Sequence, residues 1–359
     1  MKVQKSFILA ILLTVVLVIV FFLQNNNYSN KKEYLKLFPA LNEKIDNINK
    51  IEVANSENSI HLLKKNNVWY LPSYNNYPVA QNKINSFLLN IASLKTVDKK
   101  TNNPENHKKL GLSLPLAEGS NRFRIFDNNK EFLADFIIGK KSNQNEALSY
   151  IRNIDSSVTW LFKNDIKFFN TELDWAEESI LRIARWRIKS IKIQSIEKKD
   201  KNIFISKNKY SDQMYTLKGI PDKYELASTY SISSYTSLLE SLKKTDIKLF
   251  SDKFKLIKRI KYQTFDGIDV SIDLYNINED IYSHFSIISD SLIREELAED
   301  EPVIVGLPKM KSYDDIKKEV NKYSYISNWL YRLNEDVNKE FLKPFSSLIK
   351  KKEINKTKP

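Results

Sequence analysis

The sequence contains no cysteine, only six glycines and only three histidines in its 359 residues. Without cysteine the chain has no disulfide framework, no thiol nucleophile and no thiolate ligand for a metal. The glycines never lie closer than eight residues apart. This spacing excludes the glycine-rich phosphate loop, the dinucleotide-binding fingerprint and the nucleophile elbow of α/β-hydrolases, because each needs clustered glycines.

The few residues that could carry chemistry lack the spacing that known sites require. The histidines are isolated, and each is predicted to be a surface or strand-edge residue rather than a metal ligand: His61, His107 and His284. Ser-x-x-Lys occurs at Ser241–Lys244 and at Ser347–Lys350, without the companion motifs of penicillin-binding enzymes. We therefore predict no catalytic, cofactor-binding or metal-binding residues and no cofactor. Two carboxylates that are distant in sequence and meet in the fold remain open as an alternative.

The charge is basic but dispersed. The net charge is +13, and the excess is spread as single lysines among asparagine, isoleucine and serine. This pattern predicts solvated surfaces and disfavours nucleic-acid binding, because the topology derived below places the charge outside the cell. The tail from Lys350 to Lys358 is basic enough to contact a membrane surface. The acidic run Glu295–Glu301 lacks the spacing and central glycine of a calcium-binding loop, so it is interpreted as a solvated loop or a contact for a basic partner.

The longest apolar run is Phe7–Leu23, 17 residues interrupted only by Thr14. As a helix it measures roughly 25 Å, enough to cross the hydrocarbon core of a bilayer. No small residue follows it closely, which favours an uncleaved anchor over a cleaved signal peptide. Lys2 and Lys5 precede the run and no lysine follows before Lys31. The prediction is a single-pass protein of the bacterial inner membrane, with its N-terminus in the cytoplasm and its ectodomain in the periplasm.

The ectodomain contains the same order of predicted elements twice. Its first half shows strand patterns at 48–53, 60–62, 68–71, 123–126, 132–138, 150–151 and 158–162, with a helix at 84–94. Its second half shows strands at 188–193, 203–205, 214–217, 260–265, 268–275 and 282–288, with a helix at 232–242. The helices correspond at an offset of 148 residues, which pairs Ile84 with Ile232 and Phe87 with Tyr235. Asp266-Gly267 is a hairpin signal between two of the later strands.

We therefore predict an α+β fold: an N-terminal transmembrane helix, two tandem duplicated strand-rich modules and a helical C-terminal segment. The predicted boundaries are 1–6 for the cytoplasmic N-terminus, 7–23 for the anchor, 24–44 for a stalk, 45–174 for the first module, 175–187 for a connecting helix, 188–308 for the second module and 309–359 for C-terminal helices and a basic tail. The segment Trp175–Arg187 mixes tryptophan with arginine. It is interpreted as a helix between modules packed by its own apolar residues, with a protein-interface role as the alternative.

Several short motifs occur in a fixed order over roughly residues 37 to 195: Leu37-Phe38-Pro39, Ile51-Glu52-Val53, Val68-Trp69-Tyr70-Leu71, Lys108-Lys109-Leu110-Gly111-Leu112, Leu114-Pro115, Phe136-Ile137-Ile138-Gly139-Lys140, Tyr150-Ile151-Arg152 and Val158–Leu161. Together they resemble a bacterial envelope family, the domain of unknown function numbered 4340. The resemblance implies an association with transporter machinery of the ABC type, as in gliding motility, and an accessory or scaffolding role. It implies no catalytic residues. The stretch from Gly111 to Pro115 is interpreted as a structural turn.

The function predicted from these observations is a membrane-anchored, extracytoplasmic, non-catalytic accessory or scaffold protein of a transporter-like or envelope-assembly complex. Its predicted partners are the membrane, through residues 7–23, and other proteins of the complex; nucleic acid is not a predicted partner. An extracytoplasmic module that binds a glycan or a lipid is the alternative. An envelope hydrolase with paired carboxylates is the more distant one.

Overall fold

The computed structural model describes residues 35–167, 169–196, 200–295 and 305–352. The α-helices are α1 Pro39–Glu43, α2 Gln81–Ala92, α3 His107–Leu110, α4 Tyr230–Ser237, α5 Tyr313–Lys322 and α6 Glu335–Leu342. The strands are β1 Ile48–Ala54, β2 Ser59–Lys65, β3 Val68–Leu71, β4 Tyr77–Pro78, β5 Thr96–Thr101, β6 Asn121–Asp127, β7 Phe132–Lys141, β8 Leu148–Asn153, β9 Thr159–Lys163, β10 Ile188–Ser195, β11 Ile203–Ser206, β12 Thr216–Leu217, β13 Tyr224–Leu226, β14 Lys244–Leu249, β15 Lys255–Thr264, β16 Ile268–Ile277, β17 Asp280–Ser289, β18 Trp329–Leu333 and β19 Ile349–Lys351. The fold is mixed α+β and rich in strands, as predicted.

The chain forms two compact units. The first comprises residues 1–67 and 81–168, and the second comprises residues 68–80 and 169–359. Strands of the first unit are neighbours in the order β2-β1-β6-β7-β8-β9-β5, with antiparallel pairing throughout. The core between this sheet and α2 contains Ile84, Phe87 and Ile91, which are buried at the helical spacing that the sequence shows.

The second unit has a sheet in the order β12-β11-β10-β15-β16-β17-β18-β14 and a separate pair, β13-β19. Without β12, this order matches the first unit strand for strand. The helix that precedes the last edge strand also corresponds, because Ile232 and Tyr235 of α4 are buried as their counterparts in α2 are. Asp266-Gly267 forms the predicted turn between β15 and β16, with Gly267 at a φ of +96°.

The strand pair β3–β4 belongs to the second unit by its contacts. Within this pair, Tyr77 is buried and lies edge-on to Trp329 with 5.0 Å between ring centroids. Tyr325 and Tyr331 lie further around the same ring, at 6.0 and 6.2 Å. These aromatic contacts join a segment from the first half of the sequence to β18.

The predicted stalk is wrong for residues 35–44. Phe38 and Leu41 are buried, and the Phe38 ring lies 4.6 Å from that of Phe136. The amide of Leu37 donates a hydrogen bond to the carbonyl of Leu94. The apolar side chains of this segment are therefore part of the first unit's core. Residues 24–34 and the predicted anchor, 7–23, lie outside the described residues; among those described, no helix has the length and apolar character needed to cross a bilayer.

The predicted connecting helix at 175–187 is also wrong. Two single 3-10 turns, Glu172–Trp175 and Arg185–Arg187, flank a chain without helical hydrogen bonds. Instead the amides of Ile180 and Ile183 donate to the carbonyls of Leu242 and Leu239, both at 2.8 Å. Backbone partners that are distant in sequence override the local preference for a helix.

The predicted helical segment 309–359 contains two helices, α5 and α6, but also two strands. Residues Trp329–Leu333 form β18, which lies between β17 and β14, so the second sheet extends beyond the predicted boundary at residue 308. Tyr331 and Leu333 are buried core residues of a strand rather than of an aromatic-rich helix. In β19, Lys350 pairs with Glu225 of β13. The rest of the basic tail, residues 353–359, lies outside the described residues.

Candidate functional site

A cavity of about 310 Å³ lies in the second unit where the extended segment after Ile180 turns into β10. The amides of Ile180 and Ile183 tie this segment to Leu242 and Leu239, and the single turn Arg185–Arg187 leads from it into β10. Ile183 and Arg187 point inward and are buried, whereas Arg182 and Trp186 are exposed. The apolar part of the lining is Ile183, Ala184 and Pro308.

The floor of the cavity is a buried ion-pair cluster centred on Arg187, whose side chain is 7% exposed. Its Nε donates to Oδ2 of Asp266 at 2.7 Å. Its two terminal nitrogens donate to the two carboxylate oxygens of Glu319 at 2.8 and 3.1 Å. Lys311 adds a hydrogen bond to Glu319 at 2.8 Å, and the hydroxyl of Thr264 donates to Oδ1 of Asp266 at 2.6 Å. Every carboxylate oxygen of the floor therefore has a donor.

The ionisation of the floor follows from these partners. Burial alone would raise the pKa of Glu319, but the hydrogen bonds from Arg187 and Lys311 outweigh it, and the pKa is lowered. Burial would lower the pKa of Arg187, but Glu319 and Asp266 outweigh it, and that pKa is raised. Both groups are held in their charged forms. A carboxylate held ionised and fully hydrogen-bonded is a poor general acid or base, so the floor orders α5 and the β15–β16 turn rather than supplying acid–base chemistry.

The rim of the cavity carries the charges that the floor does not neutralise. Arg182 uses its Nε to donate to the hydroxyl of Ser179, and neither Arg182 nor Lys309 has a carboxylate partner among the described residues. Trp186, 38% exposed, also lines the cavity. The one carboxylate at the rim, Glu240, accepts a hydrogen bond from the backbone amide of Arg185 at 3.0 Å. The rim is therefore cationic and aromatic.

A second cavity, of about 570 Å³, lies in the first unit beside the end of α2. Its charged residues are Lys95, Lys163 and Asp165, and the last two pair with each other at 2.9 Å while both remain exposed. The charged side chains at this site are all exposed and form no buried ion-pair cluster. It is the weaker candidate for a functional site.

The three histidines have structural surroundings. The prediction of a surface or strand-edge position is wrong for His107, which is buried in α3 and hydrogen-bonded to the carbonyl of Ser157 at 2.9 Å. His284 is hydrogen-bonded to the carbonyl of Ser327 at 2.8 Å and stacks on Phe250. His61 lies beside Glu52 on the face of the first sheet, at 3.4 Å. Within the described ranges, no three histidine, aspartate or glutamate residues lie close enough together to hold a metal ion.

The other sequence features also have structural partners. Lys244 donates to the backbone carbonyl of Glu177, and the hydroxyl of Ser347 donates to that of Pro344. In the acidic run, Glu295 pairs with Lys189 at 2.5 Å, and residues 296–301 lie outside the described part of the chain.

The motifs that carry the family resemblance lie in the first unit, except Val68-Trp69-Tyr70-Leu71, which belongs to the second. The guanidinium of Arg152 donates to the carbonyl of Leu112 at 2.9 and 3.1 Å, which joins two motifs 40 residues apart. Gly111 has a φ of +74°, and a Cβ there would lie 2.7 Å from the hydroxyl oxygen of Ser120. A Cβ on Gly139 would lie 2.2 Å from the carbonyl oxygen of Leu110. Close backbone packing, not ligand contact, explains these residues.

The ion-pair floor was missed by sequence reasoning. Arg187 lies 79 residues from Asp266 and 132 from Glu319, so no local pattern connects them. Two signals were present: the tryptophan–arginine mixture at 175–187, and the Asp266-Gly267 turn.

In the comparison with known proteins, the family described as "Domain of unknown function (DUF4340)" matches residues 69–257. No curated protein and no solved structure matches the chain.

Proposed function

Because the chain belongs to the family described as a domain of unknown function, DUF4340, we propose its function from its own site. It is a non-catalytic accessory or scaffold component of a transporter-like or envelope-assembly complex. Residues 7–23 anchor it in the bacterial inner membrane, and the rest of the chain lies in the periplasm. The two units are diverged copies of one ancestral α+β module.

One observation carries the non-catalytic part of this proposal. Asp266 and Glu319, the acids at the cavity floor, are both committed to Arg187, and Glu319 also to Lys311. A hydrolase with paired carboxylates needs one acid that holds a proton and one that is free to attack or to activate water. The rim adds the cations Arg182 and Lys309, the ring of Trp186 and the carboxylate of Glu240, which accepts a hydrogen bond from a backbone amide; these groups suit binding rather than bond cleavage.

The duplication is supported by features beyond strand order. In both units a single 3-10 turn, Ile45–Asn47 or Arg185–Arg187, leads directly into the first strand. In both, that strand shifts register against its other neighbour in the sheet, β6 or β15, immediately after its first residue, Ile48 or Ile188. Strand irregularities of this kind are specific to a fold's detailed geometry.

A glycan-binding module is the second candidate, on the strength of Trp186. An exposed indole ring beside Glu240 and Arg182 resembles the mixture of aromatic and polar groups with which a pocket orients a small polar ligand. The apolar wall formed by Ile183 and Pro308 favours a ligand that also has apolar surface.

The test is purification of the full-length protein from membranes after mild crosslinking in cells, followed by mass spectrometry. Transporter permease or ATPase subunits should be recovered with the native chain. They should be lost when residues 7–23 are exchanged for an unrelated anchor or when the ectodomain is removed. A protein that is recovered alone would refute the accessory role, and screens of the same protein against glycans and lipids would then test the second candidate.

A further inference from the structure

We propose that the cavity between Arg182 and Lys309 is the docking site for an acidic segment of a protein partner. This inference rests on the proposed accessory role and specifies which surface of the chain makes the contact. Its occupant is a peptide that places an aspartate or glutamate beside an apolar side chain. The argument depends on the distribution of charge between the floor and the rim of the cavity.

The floor fixes the shape of the site, but its charges neutralise one another. Three nitrogens of Arg187 are bound to Asp266 and Glu319, and Glu319 also receives Lys311. One arginine and one lysine thus face two carboxylates, so the cluster is neutral. A ligand that displaced either carboxylate would leave a buried charge unpaired, which is strongly unfavourable. The ligand is therefore expected to bind above the floor.

The rim has unpaired positive charge at the mouth of the cavity. Arg182 and Lys309 are exposed and lack carboxylate partners in the described part of the chain. The only rim acid, Glu240, is already an acceptor for a backbone amide. An arriving carboxylate therefore meets two cations, and a guanidinium binds it through two parallel hydrogen bonds. Charge complementarity at such a rim favours an anionic partner over a basic one.

The apolar wall and the volume of the cavity favour a peptide as the ligand. Trp186, Ile183 and Pro308 form a surface that a purely ionic ligand would leave uncovered. A cavity of about 310 Å³ is at the small end of ligand pockets and accommodates one or two side chains. Tryptophan and arginine are the residues most enriched where protein interfaces concentrate their binding energy.

The first unit gives an internal comparison. Counted back from Ile48 and Ile188, the first residue of each central strand, Asp46 is the counterpart of Trp186 and Asn47 that of Arg187. The equivalent turn of the first unit thus has neither the aromatic ring nor the arginine. The docking site is confined to one of two similar units.

The absence of cysteine makes a direct test possible, since any introduced thiol is unique in the chain. The full-length protein carrying Arg185→Cys is labelled with a thiol-reactive benzophenone and irradiated in its native membranes. Arg185 is exposed, adjoins Trp186 and contributes backbone atoms to its hydrogen bonds with Glu240 and Tyr215. Tyr230→Cys, at a residue 77% exposed, is the matched control label.

The expected result is a crosslink from position 185, but not from 230, to a peptide rich in aspartate or glutamate. Adding Arg182→Glu and Lys309→Glu should lower its yield roughly tenfold. Lys223→Glu with Lys253→Glu, two exposed lysines elsewhere in the same unit, lowers the net charge by the same four units and should leave the yield unchanged. This pair controls for nonspecific charge effects.

Three results would overturn the docking site. They are a crosslink to lipid or glycan, a crosslink to a basic or neutral peptide, and no crosslink while the partner proteins still co-purify. In each of these cases the accessory role would stand and only the assignment of the surface would fail. If no partner co-purifies at all, the proposed function itself fails and the docking site fails with it.

Discussion

The two units share one sheet topology and differ in the residue that precedes the first strand, β1 or β10. Asn47, before β1, is exposed, whereas Arg187, before β10, is buried with two carboxylates. The difference arises in another part of the sheet. The connection between β8 and β9 spans residues 154–158, but that between β17 and β18 spans 290–328 and includes α5, which supplies Glu319. A long connection in one unit has thus created a cavity that the shorter one in the other unit does not form.

The β6–β7 and β15–β16 hairpin turns differ in burial in the same way. In the first unit the carboxylate of Asp127 accepts hydrogen bonds from the amides of Asn129 and Glu131. At the equivalent position of the second unit the hydroxyl of Thr264 accepts one from the amide of Ile268 at 2.8 Å. A side chain closes the turn in both units, but the second turn is covered and carries Asp266. The local geometry is shared, and its burial is not.

The largest effect is expected from removing the charge that distinguishes the second unit. Arg187→Met keeps an apolar stem but leaves Asp266, whose side chain is 1% exposed, and Glu319 without their main partner. We expect the free energy of unfolding to fall by about 3–5 kcal/mol. Asn47→Ala, at the exposed counterpart, should change it by no more than about 0.5 kcal/mol. Urea denaturation followed by near-UV circular dichroism measures both values.

A rescue variant separates charge from packing in this comparison. Arg187→Met combined with Asp266→Asn and Glu319→Gln contains no uncompensated buried charge, so most of the lost stability should return. If the triple variant is as unstable as the single one, the cluster matters for its shape and not for its charge. Equal losses for Arg187→Met and Asn47→Ala would refute the difference between the units.

How far the sequence predicted this architecture depends on the range of the interactions. The spacing of Ile84, Phe87 and Ile91 in α2 and the strand pattern at 123–126 in β6 are local patterns, and they predicted those elements correctly. The segment 175–187 was misassigned because its backbone partners, Leu239 and Leu242, come more than fifty residues later. The sequence did not predict the ion-pair cluster at the cavity floor for the same reason, since the cluster joins three elements that only the folded sheet brings together.

An intermediate effect is expected at the two hairpin turns. Gly267 has a φ of +96°, and a Cβ there would lie 2.9 Å from the carbonyl oxygen of Asp290. Gly267→Ala should cost about 2 kcal/mol, because both the left-handed backbone and the close approach oppose a side chain. Lys130, in the first unit's turn, already has a φ of +66° and is exposed, so Lys130→Gly should change stability by no more than about 0.5 kcal/mol. Thermal unfolding of both variants checks the contrast, which equal costs would contradict.

The smallest effect is expected in the acid range and concerns one carboxylate with a lowered pKa from each unit, Glu52 and Glu319. For Glu52, as for Glu319, burial would raise the pKa; the charges and hydrogen bonds of Lys50, Arg124 and His61 outweigh it and lower the pKa. A carboxylate with a lowered folded-state pKa stabilises the fold above its unfolded pKa of about 4.3. That stability is lost as the pH falls through the folded-state value. Glu52→Gln and Glu319→Gln should therefore each flatten the decline in stability between about pH 5 and pH 2.

Salt distinguishes the two carboxylates. The partners of Glu52 have side chains 31–42% exposed, whereas Arg187, the main partner of Glu319, is 7% exposed. Mobile ions screen exposed pairs far more than buried ones. Raising the salt concentration to about 0.5 M should therefore remove most of the difference between wild type and Glu52→Gln while leaving that for Glu319→Gln largely intact. Melting temperatures across the pH range at both salt concentrations measure this. If salt erases both differences equally, the cluster around Arg187 is as accessible to solvent as the surface pairs of the first unit.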